Sequence, residues 1–181
     1  MNVTETSLPG VLILEPRCFR DDRGYFFETF NLARAVELGL PAEWKQDNFS
    51  LSKANVIRGI HYQIDDAQGK LVRVVAGRAL DVVVDLRRSS PTFGKHLTVE
   101  LSSDNTRMVW IPAGFGHGFA ALSETVALSY KVTNYYSPTA ERTILWSDPA
   151  LGIDWNVSAQ DAILSAKDEG GVLFAQAEVF A

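Results

Sequence analysis

The chain has 181 residues, 46% of them hydrophobic and 22% charged, which is an ordinary composition for a single globular domain. A net charge of −5 without a basic run gives no support for a nucleic-acid binder, and Cys18 as the only cysteine excludes an internal disulfide and a Cys-based zinc site. No apolar stretch reaches the ~18 residues of a membrane span and the N-terminus lacks signal-peptide features, so we expect a cytoplasmic protein.

The N-terminal part is predicted to form two strands and one short helix. Residues 10–20 form an apolar strand interrupted by Pro16, residues 21–24 form a turn, and residues 25–30 form an aromatic strand. Residues 31–38 predict a helix that ends at Gly39. From the residues alone, Arg23 belongs to a solvated turn and Glu28 is an edge charge.

From residue 43 onward the chain shows strand after strand, separated by turn signals. This spacing is typical of a β-sandwich or barrel and not of βαβ units. The absence of a G-x-G-x-x-G motif and of a P-loop excludes both familiar nucleotide cradles. In the tail, Ser158–Asp161 is predicted to cap a helix over Ala162–Lys167, which Gly170 and Gly171 would stop. We expect one domain over residues 1–181, with a peripheral segment from about residue 157.

His61, within V-I-R-G-I-H-Y-Q, is the first candidate for chemistry, because histidine moves protons near neutral pH. A hydrogen-bonded core histidine is an equally weighted interpretation of this strand taken alone. Strict alternation places Arg58 and His61 on opposite faces of the strand. Gly59 offers the other possibility, a bulge that re-aims one of the two side chains. The sequence leaves both arrangements open.

Residues 112–117, P-A-G-F-G-H, resemble the second signature of the cupins, a family of double-sheet jelly rolls. In many cupins this histidine binds a metal together with an H-x-H pair and a glutamate. Here the corresponding first signature is His61-Tyr62-Gln63, with one histidine and no well-placed glutamate, which makes a poor transition-metal site. We therefore predict no essential metal, and His117 is interpreted as a substrate hydrogen-bond donor or a structural histidine.

Nine motifs in order, from about residue 10 to about residue 168, resemble the dTDP-4-dehydrorhamnose 3,5-epimerase family. They are D-D-R-G-Y-F-F-E, Q-D-N-F-S, R-G-I-H-Y-Q, Q-G-K-L-V-R, D-V-V-V-D-L-R, S-P-T-F-G, I-P-A-G-F-G-H-G-F, Y-K-V-T-N-Y-Y-S-P and L-S-A-K-D. The resemblance implies a mainly β, double-sheet cupin jelly roll with short flanking helices, which works as a homodimer without a cofactor.

The implied reaction converts dTDP-4-dehydro-6-deoxy-D-glucose to dTDP-4-dehydro-L-rhamnose, a precursor for polysaccharide biosynthesis. The 4-keto group acidifies the C3–H and C5–H bonds, so a base can remove either proton and an acid on the other face can return it. A positive group near the developing oxyanion would stabilise the enolate. A monofunctional 3- or 5-epimerase and a non-catalytic cupin sugar-binding protein are the alternatives, and a related ketoisomerase is less favoured.

The resemblance also assigns roles to individual residues. It makes His61 the base, Asp168 its paired carboxylate, Tyr130 the opposite-face proton donor and Lys70 the cation near the keto oxygen. Taken singly, Asp168 is an exposed helix-end acid, Tyr130 an amphipathic strand tyrosine and Lys70 a solvated lysine.

For the nucleotide, the resemblance implies that Arg58 and Arg23 contact substrate, since guanidinium forks suit pyrophosphate oxygens, and that Tyr136 stacks on the thymine. An N-terminal segment that reaches into the partner subunit would let Arg23 and Glu28 complete the neighbouring site. The remaining substrate-contacting positions are Gln46, Asp47, Asn48, His117, Glu141 and Lys167, together with Glu28.

Overall fold

The computed structural model describes residues 1–181 and contains two antiparallel β-sheets packed face to face. The larger sheet has six strands, in the spatial order β1 (Asn2–Glu5), β2 (Leu12–Glu15), β10 (Met108–Ile111), β7 (Lys70–Ala76), β12 (Thr125–Val132) and β5 (Gln46–Lys53). The smaller has five, in the order β13 (Glu141–Thr143), β6 (Ile57–Gln63), β11 (Phe115–Ala121), β8 (Arg78–Asp85) and β9 (His96–Ser102). The predicted mainly β, double-sheet fold with short flanking helices is confirmed.

The smaller sheet is covered on both faces, so seven of the eight residues of β8 are buried. On one face, side chains such as Val83 pack with Val72 and Leu128 of the larger sheet. On the other face, Val82 and its neighbours pack against the C-terminal part of the chain, including Trp155. A strand buried on both faces loses the apolar–polar alternation that a half-exposed strand shows.

The N-terminal predictions are mostly confirmed. Pro16 separates β2 from β3 (Phe19–Asp21), and a tight turn joins β3 to β4 (Gly24–Phe26). The aromatic strand is shorter than predicted: Phe26 pairs with the first residue of β3, so residues 27–30 have no partner backbone there. Helix α1 (Leu32–Glu37) ends before Gly39, whose φ of 76° suits glycine. No helix is long and apolar enough to cross a membrane.

The predicted helix over Ala162–Lys167 is wrong. Ile163 instead forms a parallel bridge with Val56, with hydrogen bonds to the backbone of residues 55 and 57. These bonds use the Ile163 N–H and C=O that a helix would need. The short helix α2 (Ala166–Glu169) begins after the bridge, with Ser165 as its N-cap and Gly170 as its C-cap.

Candidate active site

A cavity of about 360 Å³ opens between the two sheets, and its lining is mainly polar. Most of the residues predicted to act on or bind substrate face this one cavity. They are Gln46, Asn48, Arg58, His61, Lys70, His117, Tyr130, Tyr136, Glu141 and Lys167.

A bulge in β6 brings Arg58 and His61 to the same side of the sheet. Arg58 pairs with Phe119 and His61 with His117, so three steps along β6 match two steps along β11. Gly59, with φ of 120°, lies at the bulge, where an added Cβ atom would be 2.5 Å from the Cα of the opposing strand's glycine. Only a glycine fits this close approach. Of the two arrangements that the sequence left open, the structure has the bulge, and both side chains line the cavity.

Asp168 lies directly behind His61, with its Oδ1 2.7 Å from the ring Nε2. This oxygen lies off the direction of an Nε2–H bond, so the contact is short but is not a straight hydrogen bond. The same Oδ1 accepts the Gly59 N–H at 2.9 Å, and Oδ2 accepts the Ser165 hydroxyl at 2.5 Å. Asp168 is only 2% exposed, so its interpretation as a solvated helix-end acid is wrong.

These contacts keep the Asp168 carboxylate ionised. Burial opposes ionisation, but the contacts with His61, Ser165 and Gly59 outweigh it and hold the pKa of Asp168 well below its usual range. A fixed negative charge at Nε2 favours the tautomer that carries its proton there. The other ring nitrogen, Nδ1, is then left to exchange a proton with a substrate.

A second histidine–carboxylate pair, not predicted from the sequence, lies beside the first. His117 Nε2 is 2.8 Å from Asp81 Oδ2, and both residues are buried. The signal for Asp81 was present, because two aspartates interrupt the apolar strand L-D-V-V-V-D, and a buried carboxylate needs a partner. Since Asp81 occupies Nε2, only Nδ1 of His117 is available towards the cavity.

Lys70 and Tyr130 come from the larger sheet and face the smaller sheet across the cavity. Lys70 is buried, with Nζ 3.5 Å from the His61 carbonyl, so it is not a solvated lysine. Burial lowers the pKa of Lys70 to about 8, although the charge of Asp81 opposes this change. Burial raises the pKa of Tyr130, although Arg58 opposes this change. Tyr130 therefore keeps its proton at neutral pH, on the wall opposite His61.

At one end of the cavity, Glu141 joins two predicted substrate-contacting residues. Its Oε1 accepts a hydrogen bond from Lys167 at 2.8 Å, and its Oε2 accepts one from the Tyr136 hydroxyl at 2.9 Å. Burial alone would raise the pKa of Glu141, but these hydrogen bonds outweigh it and lower the pKa. Both carboxylate oxygens of Glu141 are therefore already engaged within the protein.

The backbone around Tyr136 is held by two glutamines. Gln63 donates to the Tyr135 carbonyl at 3.2 Å and accepts the Ser137 N–H at 2.9 Å, while Gln46 accepts the Tyr136 N–H at 3.1 Å. Gln63 was not predicted as a site residue. Its position two residues after His61, on the same face of β6, was the available signal.

Three predicted residues lie outside the cavity. Arg23 is exposed on the β3–β4 turn and pairs with Asp21. Glu28 pairs with Arg34 at 3.2 Å. Asp47 accepts hydrogen bonds from Lys131 and borders a separate cavity of about 130 Å³. The structure does not bring these three side chains to the main cavity of their own chain.

No group of three or more histidine, cysteine, aspartate or glutamate side chains is arranged to hold a metal ion. Each cavity histidine presents its Nε2 to a carboxylate instead. The absence of an essential metal stays a prediction.

The sequence is similar to known proteins over almost its full length. The family model for dTDP-4-dehydrorhamnose 3,5-epimerase matches residues 5–176. The dTDP-4-dehydrorhamnose 3,5-epimerase of Pseudomonas aeruginosa is 52% identical over 183 residues, which cover 99% of both chains.

Solved structures give the same picture. The structure of the dTDP-6-deoxy-D-glucose-3,5-epimerase RmlC from Legionella pneumophila, in complex with dTDP-4-keto-L-rhamnose, matches with a TM-score of 0.94 and 45% identity, over 98% of this chain and 94% of that chain. ChmJ, a 3'-monoepimerase from Streptomyces bikiniensis in complex with dTDP-quinovose, matches with a TM-score of 0.86 and 33% identity, over 94% and 86%.

Proposed function

The chain belongs to the dTDP-4-dehydrorhamnose 3,5-epimerase family, and we propose that it inverts C3 and C5 of dTDP-4-dehydro-6-deoxy-D-glucose in the cavity between its two sheets. The product is dTDP-4-dehydro-L-rhamnose. The observation that carries this proposal is the placement of a carboxylate-backed histidine and a protonated tyrosine on opposite walls of one cavity.

His61 acts as the base. Asp168 holds the ring by Nε2, so Nδ1 takes the proton from the carbon next to the 4-keto group. The imidazolium that forms is stabilised by the ionised carboxylate behind it. Removal of the proton converts the ketone to an enolate, in which the negative charge moves onto the C4 oxygen.

Lys70 stabilises that enolate, and Tyr130 returns a proton on the opposite face. The Lys70 ammonium lies in a buried environment, where a charge interacts more strongly than in water. Tyr130 projects from β12 while His61 projects from β6 of the facing sheet, so a sugar ring held between them has one group on each face. This arrangement produces inversion instead of simple exchange.

The nucleotide binds at the end of the cavity formed by Tyr136 and Lys167. Tyr136 is half exposed and offers its ring for stacking on the thymine, a contact worth ~1–3 kcal/mol. Arg58 Nε donates to the Ser52 hydroxyl at 3.1 Å. The side chain lines the cavity, and its remaining guanidinium donors suit pyrophosphate oxygens. Gln46, Asn48 and His117 supply polar contacts along the same wall, and Glu141 orients its neighbours.

The active form is a cupin homodimer in the cytoplasm, and the N-terminal β3–β4 hairpin completes the site of the partner subunit. Support comes from apolar side chains that remain exposed, Phe49 and Leu51 on the edge strand β5 and Phe26 on the hairpin. A second copy would cover such a surface. Arg23 and Glu28 lie beyond the cavity of their own chain and would reach the neighbouring one. Asp47 pairs with Lys131 beside Thr29 and Phe30, which follow the hairpin along the chain. No nucleic acid, membrane, metal or cofactor takes part.

The deciding experiment is proton NMR of dTDP-4-dehydro-6-deoxy-D-glucose incubated with the protein in deuterium oxide. We expect deuterium at both C3 and C5 and a product that the next reductase traps as the L-rhamnose derivative. Exchange at one carbon alone would instead establish a monoepimerase, the activity of ChmJ. Binding without exchange would establish a non-catalytic sugar-binding protein.

A further inference from the structure

The C-terminal segment contains two Ser-Ala-x-Asp sequences, residues 158–161 and 165–168, with nearly the same local contacts. The Ser158 hydroxyl donates to Asp161 Oδ2 at 2.6 Å and accepts the Asp161 N–H at 3.2 Å. The Ser165 hydroxyl donates to Asp168 Oδ2 at 2.5 Å and accepts the Asp168 N–H at 3.3 Å. Both serines are exposed, but Asp161 is exposed while Asp168 is buried behind His61.

Only the second sequence, residues 165–168, connects its aspartate to the cavity. Oδ1 of Asp168 is shared between His61 and the Gly59 N–H, and Oδ2 is held by the hydroxyl and, at 3.3 Å, by the backbone N–H of Ser165. A carboxylate can rotate about its terminal bond unless both oxygens are held. Asp168 Oδ1 lies off the direction of the His61 Nε2–H bond, so this contact alone fixes the carboxylate poorly.

We propose that Ser165 is a positioning residue for the epimerisation. Its hydroxyl fixes the Asp168 carboxylate, and the carboxylate in turn keeps the His61 ring in one orientation, with Nε2 protonated and Nδ1 free towards the substrate. The proposal rests on the proposed role of His61 as the base, because only then does the ring orientation affect turnover.

The test compares Ser165→Ala with Ser158→Ala, a matched control that removes the same contacts at the exposed copy. Nitrogen-15 NMR of the imidazole rings reports the tautomer of each of the three histidines, and His61→Asn assigns the His61 signals. We expect one Nε2-protonated tautomer in the wild type and in Ser158→Ala, and a mixture of two tautomers in Ser165→Ala. Ser165→Thr, which keeps the hydroxyl, should restore the single tautomer.

Steady-state kinetics complete the test. We expect kcat of Ser165→Ala to fall about 10-fold with KM nearly unchanged, within the ~10²-fold loss that a 1 Å misplacement of a catalytic group produces. Ser158→Ala should keep the wild-type kcat, and Ser165→Thr should recover it.

The outcomes separate the two proposals. An unchanged His61 tautomer in Ser165→Ala would overturn the positioning role, whatever happens to kcat, and would leave Ser165 as a helix cap. Equal effects of Ser158→Ala and Ser165→Ala would overturn it as well. A changed tautomer with the wild-type kcat would support the positioning contact but overturn His61 as the base, and with it the proposed mechanism.

Discussion

Two histidine–carboxylate pairs stand side by side in the cavity, and they differ in how the carboxylate is held. His61 and His117 face each other across neighbouring strands, and each presents Nε2 to an aspartate, at 2.7 and 2.8 Å. Asp168 has hydrogen bonds on both oxygens, whereas Oδ1 of the buried Asp81 has no partner.

The difference indicates two separate uses of the same pair of residue types. A carboxylate held on both oxygens orients its imidazole and suits a group that must gain and lose a proton. The Asp81 carboxylate, with an oxygen left uncompensated, acts more as a fixed negative charge, and that charge raises the pKa of the buried Lys70 against the effect of burial. We propose that the first pair moves protons and that the second supports the Lys70 ammonium, which would stabilise the enolate.

The largest expected effect comes from removing the first imidazole. His61→Asn should lower kcat by about 10³-fold or more, since general base catalysis contributes ~10²–10⁴-fold, while the Kd for dTDP stays near the wild-type value. His117→Asn, its counterpart in the second pair, should lose less. Steady-state kinetics and calorimetric titration with dTDP measure both quantities. Equal losses in the two variants would remove the distinction between the pairs.

Lys70→Met should lower kcat by about 10²-fold, the loss typical of one removed donor to an oxyanion. In the wild type, kcat/KM should fall as the pH rises above about 8, because Lys70 loses its proton and its charge there. The variant should lack this decrease. Lys95→Met removes an exposed charge from the loop before β9 and serves as the control. A wild-type kcat/KM that stays level well above pH 8 would contradict the assignment.

Tyr130→Phe should slow inversion by about 10²-fold and slow deuterium exchange at the same carbons much less, because the base is untouched. Proton NMR in deuterium oxide measures both rates in one sample. Tyr135→Phe, which removes an exposed hydroxyl outside the lining of the cavity, is the control. Equal losses of inversion and exchange would show that Tyr130 is not the opposite-face donor.

Asp168→Asn should destabilise the protein by roughly 2 kcal/mol at pH 7, the value of hydrogen bonds to a charged group. The pKa of Asp168 is lowered in the folded state, so its contribution is fully present above the ordinary value of 3.8 and is lost as the pH falls towards the lower folded pKa. The difference in the free energy of unfolding between wild type and variant should therefore decrease below about pH 3.8. Urea unfolding of both proteins across this pH range measures that difference. A difference that does not depend on pH would contradict the prediction.

Asp81→Asn should have the smallest effect. The amide removes a buried charge with an uncompensated oxygen, so the free energy of unfolding should change by less than about 1 kcal/mol. Loss of the negative charge should lower the pKa of Lys70 further, so that the high-pH decrease in kcat/KM begins at a lower pH than in the wild type. If kcat/KM of the variant begins to fall at the same pH as that of the wild type, the charge of Asp81 does not affect the pKa of Lys70.

Local sequence predicted the strands well, because alternation and turn signals are local properties. It predicted the wrong helix in the tail, because Ser158 and Ser165 carry the same capping signal. Only the pairing of Ile163 with Val56, more than a hundred residues away, decides between them.

In the site, too, local features could be predicted from the sequence and long-range contacts could not. Gly59 gave a local hint of the bulge, and the resemblance supplied most of the residues that line the cavity. The contact of Asp168 with Gly59 spans 109 residues, and no local pattern encodes it. Arg23 and Glu28 were placed by resemblance alone, and the fold of one chain leaves them apart from the cavity.

The β6 strand has a further consequence for how this enzyme can change. Arg58, His61 and Gln63 project from one strand into the cavity, with the bulge between Arg58 and His61. Beyond the bulge, the distance from His61 to Gln63 is set by the strand rise of ~3.3 Å per residue. One inserted or deleted residue there would turn the side chains beyond it to the opposite face. We therefore expect substrate preference to change by substitution along β6, and chain length to change in surface loops such as residues 64–67.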